Sequence, residues 1–168
     1  MNFTIYIDKT CKIITIIFSI ITFGLLSMTF IYKSTPWIVY VVIVFILCIY
    51  TVAFLVKPTK YIIDNGKLII QSIILRKEYN LSEIESVKFL CKNDLNKAFR
   101  VFGIAGGFSY RGDFLIKNWG KVTSYSKGFK NNMVLIQLKS GKNILLSPLD
   151  EELFNQSLTK AEKESSSD

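Results

Sequence analysis

Residues 13–56 read IITIIFSIITFGLLSMTFIYKSTPWIVYVVIVFILCIYTVAFLV, and this stretch decides what kind of protein the chain forms. Residues 13–32 hold no charged side chain, and neither do residues 37–56. As helices rising ~1.5 Å per residue, twenty residues span roughly 30 Å, the thickness of a bilayer's hydrocarbon core. Only Lys33, Ser34, Thr35 and Pro36 separate the two runs, so the helices are expected to be antiparallel neighbours. Tyr32 and Trp37 flank the connection, where amphipathic rings favour the membrane interface. A cleaved signal peptide would have a shorter apolar core and a small-residue cleavage site, and no second span would follow at once. A pair of buried globular helices would show a polar stripe, which neither run has.

Working outward, Lys9 and Lys12 precede the first run and Lys57 and Lys60 follow the second, against Lys33 alone in the connection. That bias predicts a multi-pass protein of the cell membrane with both termini in the cytoplasm. Neither run contains Asp, Glu, Lys or Arg, so the hairpin reads as an anchor and not as an ion pathway. Thr15, Ser19, Gly24 and Ser27 are small enough to let the helices approach closely.

The 168-residue chain has 21 Lys and Arg against 13 Asp and Glu, a formal charge of +8, which beside a membrane favours anionic head groups. It has no histidine, which removes the commonest general base and the commonest nitrogen ligand for metals. Cys11, Cys48 and Cys91 show no metal-type spacing, and no cofactor or metal is expected. Cys11 reads as a small buried or interfacial hydrophobe, with acylation near the boundary as the alternative.

After Pro58, which ends the second helix, the pattern shifts to short alternating runs. Residues 61–63 and 68–70 flank Asn65-Gly66, the signature of a type I′ hairpin. Residues 73–75, 76–81, 84–90, 114–116 and 122–126 are further strand candidates, and 133–138 with 143–146 form a closing hairpin. A helix is expected over 148–160, with Ser147 as N-cap, Pro148 in its first turn, and Leu149, Leu153, Phe154 and Leu158 as its apolar face. The expected division is a short N-terminal segment (1–12), a transmembrane hairpin (13–56), a mainly-β domain (57–160) and a disordered tail (161–168).

The order YIIDNGKLIIQS (61–72), LSEIESVKF (81–89), FRVFGIAGGFSYRGDFLIKNWGKVTSYSK (99–127) and MVLIQLKSGKNILLSPLDEELFNQSL (133–158) resembles a bacterial PH-like domain family. The most specific parts are Phe102-Gly103, Gly106, Gly107, Gly112, Gly120, Tyr125 and the closing Ser147-Pro148-x-Asp150-x-x-x-Phe154. Members commonly follow two transmembrane helices. The resemblance implies a PH-like sandwich or barrel of antiparallel strands capped by a C-terminal helix, and implies little about activity. The paired basic residues of inositide-binding PH domains are poorly matched, since Asp64 and Asn65 stand beside Lys67 in the first hairpin.

Residues 88–130 hold nine basic side chains against Asp94 and Asp113, interleaved with aromatic rings. From these, Arg100, Arg111, Lys117, Trp119, Lys121, Lys127 and Lys130 form a candidate surface for anionic lipid or a partner. A solvated basic face over buried aromatics is the plainer alternative. The glycines between 103 and 112 do not open a helix, so they read as a connector and not as a phosphate loop. No acid has a partner nucleophile or histidine, and catalysis is not expected. The expectation is a non-catalytic binding or scaffold module at the inner membrane face, recruiting a protein or a second copy. A sensor of anionic lipid or envelope state is the alternative, and nucleic acid is not expected.

Overall fold

The computed structural model describes residues 1–31, 36–95, 99–104, 109–128 and 132–165. Two long helices, α1 (Lys9–Ile31) and α2 (Trp37–Val56), pack against each other and leave most of their apolar surface uncovered. Only 6% and 11% of the residues in their most apolar windows are buried, which no core helix of a water-soluble domain would tolerate. Both are long and apolar enough to cross a membrane, and they associate the chain with one. α1 starts ahead of the expected residue 13, because Lys9 and Lys12 can keep their charges at the boundary while their stems lie along the helix. Thr15, Ser19, Thr22, Ser27 and Thr51 each donate to the carbonyl four residues earlier, which satisfies hydroxyls in an apolar setting. Ser19 also meets the Tyr50 hydroxyl at 2.7 Å across the pair. Gly24 is not a contact point, since a Cβ there would meet nothing within 4 Å.

The short N-terminal segment expected over 1–12 contains a strand. Asn2–Thr4 is a strand, β1, that pairs antiparallel with β2 (Pro58–Asp64), across the whole length of the helical hairpin. The β2–β3 hairpin (β3, Lys67–Ser72) turns on Asn65 and Gly66 at φ 47° and 68°, the left-handed pair that a type I′ turn requires. β4 (Arg76–Asn80) completes a sheet in the order β1-β2-β3-β4. Residues 73–75 form a turn and not the expected strand: the Ser72 amide donates to the Leu75 carbonyl at 2.7 Å, closing the chain back on itself.

A short 3₁₀ turn (Leu81–Glu83) leads into the second sheet, in the order β5-β9-β10-β8-β7-β6. Its members are β5 (Ile84–Cys91), β6 (Phe99–Ile104), β7 (Tyr110–Ile116), β8 (Gly120–Ser126), β9 (Asn132–Leu138) and β10 (Asn143–Leu146), with a one-turn helix α3 (Lys92–Leu95) after β5. Neighbours are antiparallel except β8 and β10. The two sheets enclose Tyr61, Leu68, Ile70, Val134, Ile136 and Leu146, and helix α4 (Glu151–Ser165) closes the core with Phe154 and Leu158.

The start of α4 differs from the sequence expectation in three ways. Asp150, not Ser147, caps it, accepting from the Leu153 amide at 3.0 Å. Pro148 is outside the helix, bridged to Ile5. Leu149 and Leu153 face solvent, because a helix starting at Glu151 turns Phe154, Ser157 and Leu158 inward instead. At the other end α4 runs past residue 160: Ala161 packs on the core, and Glu162, Lys163 and Glu164 are good helix formers. The remainder of the expected tail, 166–168, lies outside the described residues.

Candidate functional site

The strand directions give the domain two distinct ends. β1 leaves toward α1, and β2 follows α2 with only Lys57 between them, so both helices join the domain at the same end. Residues 4–8 are strapped across that end. The Tyr6 amide donates to the Ser147 carbonyl (2.9 Å), the Asp8 amide to the Lys127 carbonyl (3.3 Å), and the Leu149 amide to the Thr4 carbonyl (2.9 Å). Gly128 lies hard against this strap, and a Cβ there would fall 2.2 Å from the Asp8 Cβ.

Of the candidate residues, Arg111 and Lys127 belong to this membrane-proximal end. Arg111, at the start of β7, donates from Nη1 to the Val56 carbonyl (2.7 Å) and to the Ser72 hydroxyl (3.2 Å), and its guanidinium sits 5.3 Å from the Tyr125 ring. The Val56 carbonyl is among those an α-helix leaves without an internal partner, at its negative end, so a cation there is stabilising. Burial lowers the guanidinium's proton affinity, but arginine keeps its charge. Arg111 is a clamp between α2 and the sheet, and not an open ligand contact.

Beneath it, the Tyr61 hydroxyl donates to the Tyr125 carbonyl and accepts from the Ser147 amide (3.2 Å), and the Tyr79 and Tyr125 hydroxyls meet at 3.1 Å. Burial pushes the Tyr61 phenol well above its ordinary value, so it stays a neutral donor.

Lys127 is half-buried and lines a cavity of about 320 Å³ with Ile7, Cys11, Lys12, Thr15, Ile16 and Lys57. Burial lowers the Lys127 pKa, and the neighbouring charge of Lys57 lowers it further. Lys57 is also lowered by burial, and its ammonium stands 3.7 Å from the Phe54 ring centre. In the sequence Lys12 and Lys57 stand out only as charges flanking the two apolar runs. Nothing in their spacing points to Lys127.

Lys117 and Trp119 stand at the other end, on the turn joining β7 to β8, and Lys121 is at the start of β8 beside it. Seven-residue strands separate them from Arg111 and Lys127 by roughly 20 Å. Lys117 is exposed, and Lys121 pairs with Asp113 at 2.9 Å. Trp119 packs on a second apolar cluster, with Lys88 4.6 Å from its ring centre and its carbonyl accepting from Asn143. Arg100, on β6, pairs through its backbone with Phe114 on β7, and Lys130 lies outside the described residues. The single basic surface expected from the sequence is therefore divided between two ends.

Two apolar features complete the picture. The turn at 73–75 exposes Ile73, Ile74 (58%) and Leu75 at the membrane-proximal end, since Ser72 pairs with Pro58 at the foot of α2. On the flank, β5 is an edge strand of its sheet. Its exposed Phe89 lines a groove of about 590 Å³ with Leu149, Asp150, Glu151 and Glu152 at the start of α4.

A small two-sheet domain with a closing helix, tied at one end to a helical hairpin, defines a membrane-associated binding or scaffold module. Residues 59–162 match the family model described as Bacterial PH domain, and the chain belongs to that family. The match takes in β2 through most of α4 and leaves out β1 and the hairpin. Neither the curated proteins nor the solved structures return a match to the chain.

Proposed function

We propose that this protein is a non-catalytic, membrane-anchored scaffold whose PH domain is held at the inner face of the cell membrane and recruits a protein partner. The observation that supports it best is the β1–β2 pairing: both ends of the hairpin enter one end of one domain, the arrangement expected of a hairpin whose two ends share one side of the membrane. The four-to-one lysine bias then favours the cytoplasmic side for both termini. The absence of histidine from the sequence agrees with a binding role.

The groove beside β5 suits an extended segment that adds a strand to the sheet edge, the recognition mode in which backbone bonds give affinity and pockets give selectivity. Phe89 and Leu149 would hold apolar side chains, and Asp150 and Glu152 would favour basic ones. A second copy of this chain remains within that description. The test is photocrosslinking in cells from position 89, with position 139 as control. A discrete protein adduct from 89 that disappears with Asp150→Lys and Glu152→Lys supports recruitment at the groove. No adduct, or the same adducts from 139, contradicts it.

A sensor of anionic lipid is the second reading. Its support is the coincidence of the apolar turn 73–75 with Lys12, Lys57 and Lys127 at the end where the helices enter.

A further inference from the structure

The cavity at the junction of hairpin and domain is assembled from three separated parts of the chain. α1 contributes Cys11, Lys12, Thr15 and Ile16, the α2–β2 joint contributes Lys57, and the residue after β8 contributes Lys127, with Ile7 from the strap as a further wall. Three lysines thus converge on a space whose remaining lining is mainly apolar. At about 320 Å³ it falls within the ~300–1,000 Å³ of ordinary ligand sites. Ile16, part of its wall, is exposed on α1 and lies in the uncharged run that follows Lys12.

We propose that this cavity binds the phosphate head group of an anionic phospholipid, with Lys12, Lys57 and Lys127 around the phosphate and an acyl chain along Thr15 and Ile16. A soluble phosphate would satisfy the lysines but leave the apolar wall in water. A lipid satisfies both, because its phosphate and first methylenes stand at the depth where the wall changes from lysine to isoleucine. Like charge explains why an anion is favoured here: Lys57 and Lys127 line the same cavity, the charge of Lys57 disfavours protonation of Lys127, and an anion between them offsets that repulsion. Among the described residues the cavity lining holds three lysines and no carboxylate, and Asp8, whose amide is bonded to the Lys127 carbonyl, is the acid beside it in the strap. The site explains why the hairpin is joined to the domain by a tight strap and not by a free linker. Lys12 on the helix and Lys127 on the sheet must keep their spacing for the head group to bridge them.

The inference rests on membrane anchoring but not on the groove at β5. The experiment uses the full chain in phosphatidylcholine nanodiscs and in micelles. Thermal stability is followed against added short-chain phosphatidylglycerol, short-chain phosphatidylcholine and inorganic phosphate. Saturable stabilisation by phosphatidylglycerol alone is expected. Lys57→Gln with Lys127→Gln should weaken it about thirtyfold, at ~1 kcal/mol for each lysine. Lys139→Gln with Lys142→Gln, at the far end, should leave it unchanged. Equal stabilisation by inorganic phosphate or by phosphatidylcholine would overturn the lipid assignment. So would undiminished binding by the double variant. Should that variant fail to fold, a photoreactive phosphatidylglycerol provides the second readout. Crosslinks mapped to residues 11–16 support the site, and crosslinks confined to other positions refute it. A chain that inserts into the discs yet ignores the anionic lipid defeats this site and leaves the anchoring intact, whereas a chain that does not insert defeats the anchoring.

Discussion

Replacing Phe3 with alanine is expected to destabilise the PH domain by about 3–5 kcal/mol, although Phe3 lies on the far side of a two-helix hairpin from the rest of that domain. The ring is only 7% exposed and stands edge-on to Phe154, with centroids 5.0 Å apart and planes at 86°. Phe154 in turn meets Tyr61 at 5.9 Å, so one aromatic cluster joins β1, β2 and α4. Truncation removes the buried ring, leaves a cavity between strand and helix, and forfeits an aromatic pair worth ~0.5–1.5 kcal/mol beyond its buried area. Against a total stability of about 5–15 kcal/mol this is a large fraction. For a domain of roughly 100 residues it lowers the melting temperature by on the order of 20 °C. The assay is thermal and urea unfolding of the full chain in micelles, followed by aromatic circular dichroism. Thr4→Ala, exposed on the same strand, is the control and should stay within ~0.5 kcal/mol of wild type. If Phe3→Ala is equally silent, β1 does not belong to the core and the account of the junction fails.

Gly128→Ala should lift the strap, because the new Cβ would fall 2.8 Å from the Asp8 amide nitrogen as well as against its Cβ. The expected cost is ~1–3 kcal/mol, read as faster amide exchange at Tyr6 and Asp8. A probe on Ile74→Cys in liposomes should report an apolar environment and resist aqueous quenchers, whereas one on Ser140→Cys should be quenched freely; equal quenching would place the 73–75 turn in water. The Lys121 ammonium holds the Asp113 carboxylate below its ordinary value of 3.8, aided by the Thr123 hydroxyl at 2.8 Å. That stabilisation is complete above the ordinary value and is lost as pH falls below it through the lower folded value. The pair is partly exposed, so Lys121→Gln should remove at most ~1 kcal/mol at neutral pH and flatten the acid limb of a stability–pH curve.

The hairpin was legible because twenty uncharged residues have few fates, and the β2–β3 turn because Asn65-Gly66 suits positive φ at both positions. β1 escaped because three residues give too short an alternation to read, and their partner lies more than fifty residues away. Phe3, Ile5 and Ile7 do alternate, and that was the only signal available. The placement of the basic residues is hidden in the sequence for a different reason. Counting charge along 88–130 groups residues by sequence, but β7 and β8 carry neighbours such as Arg111 and Lys117 to opposite ends. Conversely, Lys12, Lys57 and Lys127 are distant in sequence and meet only because β1 and β2 bring both ends of the hairpin to the place where β8 ends. The start of α4 shows the same limit on a smaller scale. Ser147, Asp150 and the nearby acids all suit a helix N-terminus, and the isolated bridge between Ile5 and Pro148 decides among them by holding Pro148 in extended backbone.

The central claim is that the hairpin is an insertion into the PH domain, with both of its ends on one side of the membrane. Cysteine accessibility in whole cells tests it most directly, using Asn2→Cys, Ser34→Cys and Ser140→Cys singly in a cysteine-free background. An impermeant maleimide should label position 34 in intact cells, and positions 2 and 140 only after the membrane is opened. Labelling of positions 2 and 140 from opposite sides would contradict the insertion. Labelling of both from outside would leave the insertion standing and contradict the inner-face assignment.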